Sequence, residues 1–373
     1  MRLAIFHFGF FYSGGGERTA LTEAKLLQER GHEVICFAPS IRREKVFPGL
    51  MRKVTVKSFY IDFPFPVFRE SLNMVAHSIL STLLTRRYYI FDALICHSQP
   101  GPWIGYNVHK KYGTPYLCYM QQPTRFLYQR EIDLAVGWSY DLNMKALDAL
   151  VSKTGSPLIR KLDFLSVAEA SAVLTNSLWI ARWVRNIYGF DPTPCPLGID
   201  PKEFRPLRDE RQVLLRKYHV TKPFILTTCR NVPQKKLEWL IQIIPRILKE
   251  HPDVMIAVAG RPTSYTLKLK KLADELGVEK RVRFIGEVHG EDLTLLYSEA
   301  DVYAFPPPQE DFGLGPIEAM ACATPVVAWD HAGPRETVVD GVTGFRAKPY
   351  DLNDFAERIL KILGNEVLRN KLG

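Results

Sequence analysis

The sequence predicts an α/β protein of two Rossmann-like domains, each an open, doubly wound parallel sheet. Three observations carry this. Strand-like runs alternate with amphipathic stretches along the whole chain. The rhythm halts at a proline-rich passage, Asp191-Pro192-Thr193-Pro194-Cys195-Pro196-Leu197-Gly198, and restarts at Phe224. A length of 373 residues exceeds one ordinary core and suits two domains of about 150–200 residues.

In the first half Arg2–Phe8 reads as a strand, and Glu17–Arg30 as a helix with Ala20, Leu21, Ala24 and Leu27 on its apolar side. Gly31 ends that helix, and Glu33–Ala38 resumes as a strand. Later strands fall at Ala93–Cys96, Tyr116–Tyr119 and Ala172–Thr175. The second half offers Phe224–Cys229, Val254–Ala259, Val282–Ile285, Val302–Phe305 and Pro325–Ala328, each followed by a helical pattern. The prolines between the halves disfavour helix and stiffen the chain. The boundary is therefore expected near residues 200–220, giving domains 1–200 and 201–373. Two such sheets facing each other would put their strand carboxyl ends on a shared deep cleft, the usual ligand position.

Composition narrows the class. Hydrophobic content of 46% and charged content of 24% are those of a soluble globular protein. No apolar run approaches the roughly 20 residues that span a bilayer. The opening Leu3-Ala4-Ile5-Phe6 is soon interrupted at Gly9, and reads as a first strand rather than a signal peptide. The six cysteines form no CxxC pair, which argues against zinc or redox work and fits a reducing cytoplasm. The net charge of +9 is lopsided: residues 1–130 hold 17 Lys+Arg against 8 Asp+Glu, and the remainder 32 against 32. The excess is densest between Arg42 and Arg87, among phenylalanines and tyrosines. A basic half suits an anionic membrane surface or a phosphate-bearing substrate. Without a nucleic-acid-binding motif, nucleic acid is set aside as a partner.

The most informative segment is Glu310–Val327, EDFGLGPIEAMACATPVV. It opens on a loop after a strand and turns into a helix. Gly313 and Gly315, flanking Leu314 after Phe312, let backbone approach a ligand closely. Pro316 suits the first helical position. Exposed N–H groups and the positive dipole end at such a start form a diphosphate site. Glu318, expected in the first turn, can accept the two hydroxyls of a ribose, and Glu310 lies eight residues earlier, towards the sugar.

The spacing Glu310-x7-Glu318 around Phe-Gly-Leu resembles the signature of family 4 of the retaining glycosyltransferases, whose fold is GT-B. The resemblance runs along nearly the whole chain, through Gly14-Gly15-Gly16-Glu17-Arg18, Arg30-Gly31-His32-Glu33-Val34, Thr175-Asn176-Ser177, Pro196-Leu197-Gly198-Ile199-Asp200, Gly333-Pro334-Arg335-Glu336 and Gly341-Val342-Thr343-Gly344-Phe345. It implies that Arg230 and Lys235 bind the donor diphosphate. Two fixed cations there would stabilise the growing charge of the leaving group and stand in for a divalent metal. No Asp-x-Asp metal pattern is present, and no cofactor is expected beyond the nucleotide-diphosphate sugar itself, GDP- or UDP-linked. Asp311 leans the reading towards mannose, as in mannosyl-transferring members. Glu310 is expected to position the sugar and offset positive charge, or to act as a covalent nucleophile.

The first half is less specific. Gly15 and Gly16 could offer N–H groups to the donor phosphate or form a plain tight turn. No third glycine completes a dinucleotide-binding fingerprint. Glu17, His97, Gln121 and Arg125 are expected on the acceptor side. Where the family often has a histidine before Pro-x-Arg, this chain reads Gln121-Gln122-Pro123-Thr124-Arg125, and a glutamine cannot serve as acid or base near neutral pH. His97 compensates in part, or is simply packed. Lys236 and Ala323 stand where glycine is usual. The family's last helix, which crosses back to the first domain, is expected to be absent from a chain ending at Gly373.

Within Phe68–Tyr89, Leu72, Val75, Ile79 and Leu83 share one helical face and Arg86-Arg87 close the end. This is a core helix with snorkelling arginines or an interfacial helix. The combined expectation is a cytoplasmic hexosyltransferase, peripheral at the inner membrane face, acting on a glycan or polyisoprenoid-linked acceptor. A nucleotide-sugar epimerase and a binding protein without catalysis are the alternatives.

Overall fold

The computed structural model describes residues 1–59, 76, 79–137, 156–207 and 211–373. The chain divides into two compact units: residues 1–130 with 138–197, and residues 131–137 with 198–373. The crossing thus lies between Leu197 and Gly198, and one short stretch of the first half packs with the second unit.

The first unit holds seven parallel strands, β1 (Arg2–Phe6), β2 (Glu33–Ala38), β3 (Thr55–Ser58), β4 (Ala93–Cys96), β5 (Tyr116–Met120), β6 (Ala172–Thr175) and β7 (Thr193–Pro194), in the order β3-β2-β1-β4-β5-β6-β7. The second holds β8 (Phe224–Thr228), β9 (Met255–Ala259), β10 (Val282–Gly286), β11 (Val302–Phe305), β12 (Val326–Trp329) and β13 (Gly344–Ala347), in the order β10-β9-β8-β11-β12-β13. Both are Rossmann-like, as the strand runs predict. In each, chain order reverses between two central strands, β1 and β4 or β8 and β11. The connections leave those strands in opposite directions and open a crevice at their carboxyl ends.

Central strands are apolar throughout because both faces are covered. In the second sheet alternate residues go to opposite faces. Ile225, Ile256 and Val258 join the core that includes Leu240, Ile244 and Phe355. Phe224, Leu226, Met255 and Ala257 join Tyr297, Tyr303 and Ala319 on the other side. Burying each large aliphatic side chain contributes about 1.5–3 kcal/mol, so these two layers fix the sheet.

Helix starts come in two kinds. Ser177, Asp351 and Asn365 cap theirs, each accepting backbone N–H bonds from two to three residues on. The helices Gly15–Glu29 and Leu314–Ala321 instead begin after Gly14 and Gly313, with no side-chain cap. Both starts stand at the carboxyl end of a sheet.

Of the expected interfacial stretch, residues 68–75, 77 and 78 lie outside the described residues. Ile79 and Leu83 are 61% and 69% exposed, so this part of the stretch is not a core helix.

Directly after β1, His7 is buried and bonded through Nδ1 to the Gly9 carbonyl, 2.8 Å away. Burial, helped by neighbouring His97, lowers its pKa from 6.5 to about 3, against the raising effect of that bond. The unfolded chain takes up this proton near 6.5. The stability is therefore fully present above that pH and is lost as pH falls towards 3. Between pH 7 and 5 the protein should lose about 2 kcal/mol more stability than its His7→Asn variant. Urea unfolding at both pH values checks this; equal losses would contradict it.

Candidate active site

Two loops meet at the crevice of the second sheet. The first follows β8 and is built on Asn231, which is buried. Its N–H donates to the Arg261 carbonyl at 3.1 Å and its Nδ2 to Thr266 Oγ1 at 3.1 Å. Gly260 sits at φ +156, where a Cβ would overlap the Cys229 carbonyl. The loop carries Arg230 and then the single 3₁₀ turn Pro233–Lys235. Lys236 takes the left-handed conformation (φ +50), which explains why glycine suits that place. Its ammonium lies 3.3 Å from Glu238.

The second loop follows β11 and carries Gln309, Glu310 and Phe312. Gly333 donates its N–H to the Glu310 carbonyl at 2.9 Å, and a Cβ on Gly333 would overlap the Phe312 backbone. So the backbone of Gly333 clamps this loop. Lys235 Nζ forms an ion pair with Glu310 Oε2, both side chains being about one-fifth exposed. The structure thus brings together two residues expected at the reacting centre. Cys229, half-buried beside them, has its thiol pushed up to about 12 by burial, opposed by Lys235 and assisted by Glu310. It stays protonated and is no nucleophile.

The helix after this loop differs from expectation in two details. Gly313, at φ +91, is the residue before its start, so the helix begins at Leu314. Pro316 is therefore the third helical residue, and Glu318 lies in the second turn. Pro316 still leaves only an N–H that the first turn would not pair. Gly315 packs against the Tyr303 hydroxyl, where a Cβ would collide.

Glu318 is 6% exposed and its carboxylate is held by a chain of hydroxyls. Tyr297 OH donates to Glu318 Oε2 at 2.7 Å. Thr228 Oγ1 stands 2.7 Å from Tyr297 OH and 2.7 Å from Tyr303 OH. Because Tyr297 gives its proton to the carboxylate, its oxygen accepts from Thr228, which in turn accepts from Tyr303. All three dipoles point at Glu318. Burial, reinforced by Glu318, keeps Tyr297 well above the usual phenol range, so it remains a donor.

The helix Glu131–Val136 touches both loops of this unit. Gln309 Nε2 donates to Glu131 Oε2 at 3.2 Å and its Oε1 accepts from Ile132 N at 3.1 Å. Gln234 Nε2 donates to the Gly137 carbonyl.

In the first unit, Gly15 and Gly16 open the helix beside the ends of β1, β4 and β5. Glu17 is buried, with Oε2 turned back over Gly14. His97 is 2% exposed, and contacts Glu23 at 2.6 Å and Gln121 at 3.1 Å. Arg125 is half-buried in the next loop. That loop is tied down by Thr124, whose Oγ1 donates to Asp163 Oδ1 at 2.6 Å. Asp163 also accepts from Tyr188 and Gln99. Burial raises its pKa against these bonds.

The family model of Glycosyltransferase Family 4 matches residues 13–203, just over half of the chain, and that of Glycosyl transferases group 1 matches residues 213–373. The chain belongs to glycosyltransferase family 4. A D-inositol 3-phosphate glycosyltransferase of Geodermatophilus obscurus is 34% identical, over 54% of this chain and 47% of that protein. A GDP-mannose-dependent monoacylated alpha-(1-6)-phosphatidylinositol monomannoside mannosyltransferase of Corynebacterium glutamicum is 29% identical, over 55% of this chain and 56% of that protein. The matches span about half the length of these curated relatives. Among solved structures, Anabaena HepE in complex with UDP-glucose superposes with TM-score 0.76 at 19% identity, covering 100% of this chain and 92% of that one. WaaG, a glycosyltransferase involved in lipopolysaccharide biosynthesis, gives 0.71 at 15%, covering 99% and 92%. These likenesses show the fold, GT-B with two Rossmann-like domains.

For this family 4 protein, the motifs single out Arg230, Lys235, Glu310 and Glu318 as the expected site and give no role to Tyr297, Thr228 or Glu23. Tyr297→Phe deletes the hydroxyl that aims Glu318 and leaves the ring in place. Binding of UDP or GDP, used as probes in calorimetric titration, should weaken about threefold to tenfold. Unchanged affinity would contradict the orienting role.

Proposed function

We propose that the protein is a retaining, metal-independent hexosyltransferase that takes sugar from a nucleotide-diphosphate donor held by its second unit. The observation that carries this is the meeting of two loops at the crevice between β8 and β11: one bears Arg230 and Lys235, the other Glu310, leading to the uncapped helix that bears Glu318. The helix start suits a diphosphate, Glu318 suits a ribose, and Phe312, Gly313 and Leu314 form the turn between them. The GDP-mannose-dependent relative, and Asp311 after Glu310, support mannose as the sugar; the UDP-glucose complex of HepE supports the wider class of donor.

In the proposed step the anomeric C–O bond to the diphosphate breaks and the acceptor oxygen bonds the same carbon on the same face. The acceptor proton passes to the departing phosphate oxygen. Arg230 and Lys235 stabilise the charge that grows on the leaving diphosphate, the work a divalent metal would otherwise do. Lys235 already pairs with Glu310, which supports an electrostatic role for this carboxylate beside the sugar rather than a nucleophilic one.

The acceptor, a glycan or polyisoprenoid-linked glycan, is proposed to be taken by the first unit on the side of Glu17, His97, Gln121 and Arg125. No helix among the described residues is long and apolar enough to cross a membrane. Exposed Ile79, Leu83, Leu84 and Tyr89 next to Arg86 support peripheral binding to an anionic surface on the cytoplasmic side.

A panel of nucleotide sugars, screened first for thermal stabilisation and then for transfer, tests the reading. With the donor so found, Glu318→Ala should raise its Kd about tenfold or more. Glu310→Ala should lower kcat by about a hundredfold or more and change Kd less. Small, equal effects from both would overturn the site. Consumption of donor without acceptor, yielding an isomer, would show an epimerase instead. Vesicles containing phosphatidylglycerol should bind the protein at low salt and release it as salt rises; no binding at any ionic strength would remove the membrane proposal.

A further inference from the structure

Three polar side chains from three elements of the first unit form a chain that ends beside Gly16. Glu23 stands on the helix that Gly14 opens, seven residues and about two turns beyond Gly16, so the two share a face. His97 follows β4 and Gln121 follows β5. His97 Nε2 lies 2.6 Å from Glu23 Oε2, and its Nδ1 lies 3.1 Å from Gln121 Nε2. The Tyr119 ring packs edge-on against the imidazole with centroids 5.4 Å apart, fixing its plane.

Donor and acceptor rules give this chain a direction. An ionised carboxylate only accepts, so His97 Nε2 carries a hydrogen towards Glu23. An amide nitrogen only donates, so His97 Nδ1 is the bare, accepting nitrogen. The reversed amide would set its oxygen against that lone pair, two acceptors face to face. With its N–H₂ committed to His97, Gln121 turns Oε1 towards Gly16, 3.5 Å from where a Cβ on that glycine would sit, with His7 Nε2 3.2 Å from the same point. The missing side chain leaves this acceptor open to the uncapped turn at the helix start. His7, the next ring, stands 6.0 Å from His97 between centroids and donates to Gly9 rather than to the relay.

We propose that Glu23 and His97 are positioning residues that act through Gln121, setting its carbonyl as the hydrogen-bond acceptor for a hydroxyl of a sugar bound at the Gly14–Gly16 turn. The identity of this ligand rests on the glycosyl-transfer reading; the direction of the relay does not. The relay also gives a physical sense to glutamine at this place, since a free amide presents either end to a ligand and a tethered one presents its oxygen.

Glu23→Gln is the isosteric test. Its amide N–H₂ would donate to His97 Nε2, move the ring hydrogen to Nδ1 and turn the Gln121 amide over. Long-range ¹H–¹⁵N spectra of the full chain read the tautomer without substrate, the His97 signals being assigned by their loss in His97→Gln. The wild type should show the Nε2–H form and Glu23→Gln the Nδ1–H form. With GDP-mannose and UDP-glucose as donors, kcat should fall about tenfold in Glu23→Gln with KM nearly unchanged, and Glu23→Asp should recover most of it. A doubly protonated or Nδ1–H ring in the wild type overturns the relay. A changed tautomer with unchanged kcat overturns its effect on the sugar. A wild type that turns over neither donor counts against glycosyl transfer, and the tautomer then decides the relay alone.

Discussion

A parallel sheet whose strand order reverses in its middle has one place where backbone can be spared from packing. At the carboxyl ends of β8 and β11 the two connections diverge and leave a crevice between them. Everything proposed for the second unit is gathered at that crevice. The ion pair between Lys235 and Glu310 joins the two diverging loops across it. It places a cation and an anion, each partly shielded from water, where they interact more strongly than exposed charges do.

Precision at this point comes from backbone rather than from long side chains. Gly260 and Gly333 let neighbouring loops touch main chain to main chain, and Gly315 seats the helix start on the Tyr303 hydroxyl. Beneath it, Tyr303, Thr228 and Tyr297 form a one-way line of hydroxyls ending on Glu318. Such a line rigidifies the carboxylate without neutralising it. The first unit uses the same sheet geometry with different means. There a carboxylate, an imidazole and an amide, rather than hydroxyls, determine which atom faces the glycine turn.

Much of this was legible in the chain. Apolar runs such as Ala93–Cys96 and Val302–Phe305 coincide with β4 and β11, because a strand buried on both faces needs no polar alternation. The Glu310-x7-Glu318 spacing pointed to the loop and helix, and the family resemblance it carries pointed to Arg230 and Lys235. Other parts left no local trace. β3, β7 and β13 lie at or near sheet edges and are short and mixed in polarity, as in Thr55–Ser58 and Thr193–Pro194. The helix start at Leu314 depends on Gly313 taking a positive φ, which spacing alone does not reveal. Tyr297 and Glu23 reach their partners only through the tertiary fold, 21 and 74 residues away in sequence. A charged residue among the buried positions Ala20, Leu21 and Ala24 was the one hint that Glu23 offered.

The central claim is that the crevice of the second unit is built for a diphosphate. Calorimetric titration of the full chain with GDP and UDP, against GMP and UMP, tests it most directly. The account predicts that at least one diphosphate binds about tenfold tighter, or more, than its monophosphate, and that Lys235→Ala removes most of that difference. Equal affinity for mono- and diphosphates would contradict it.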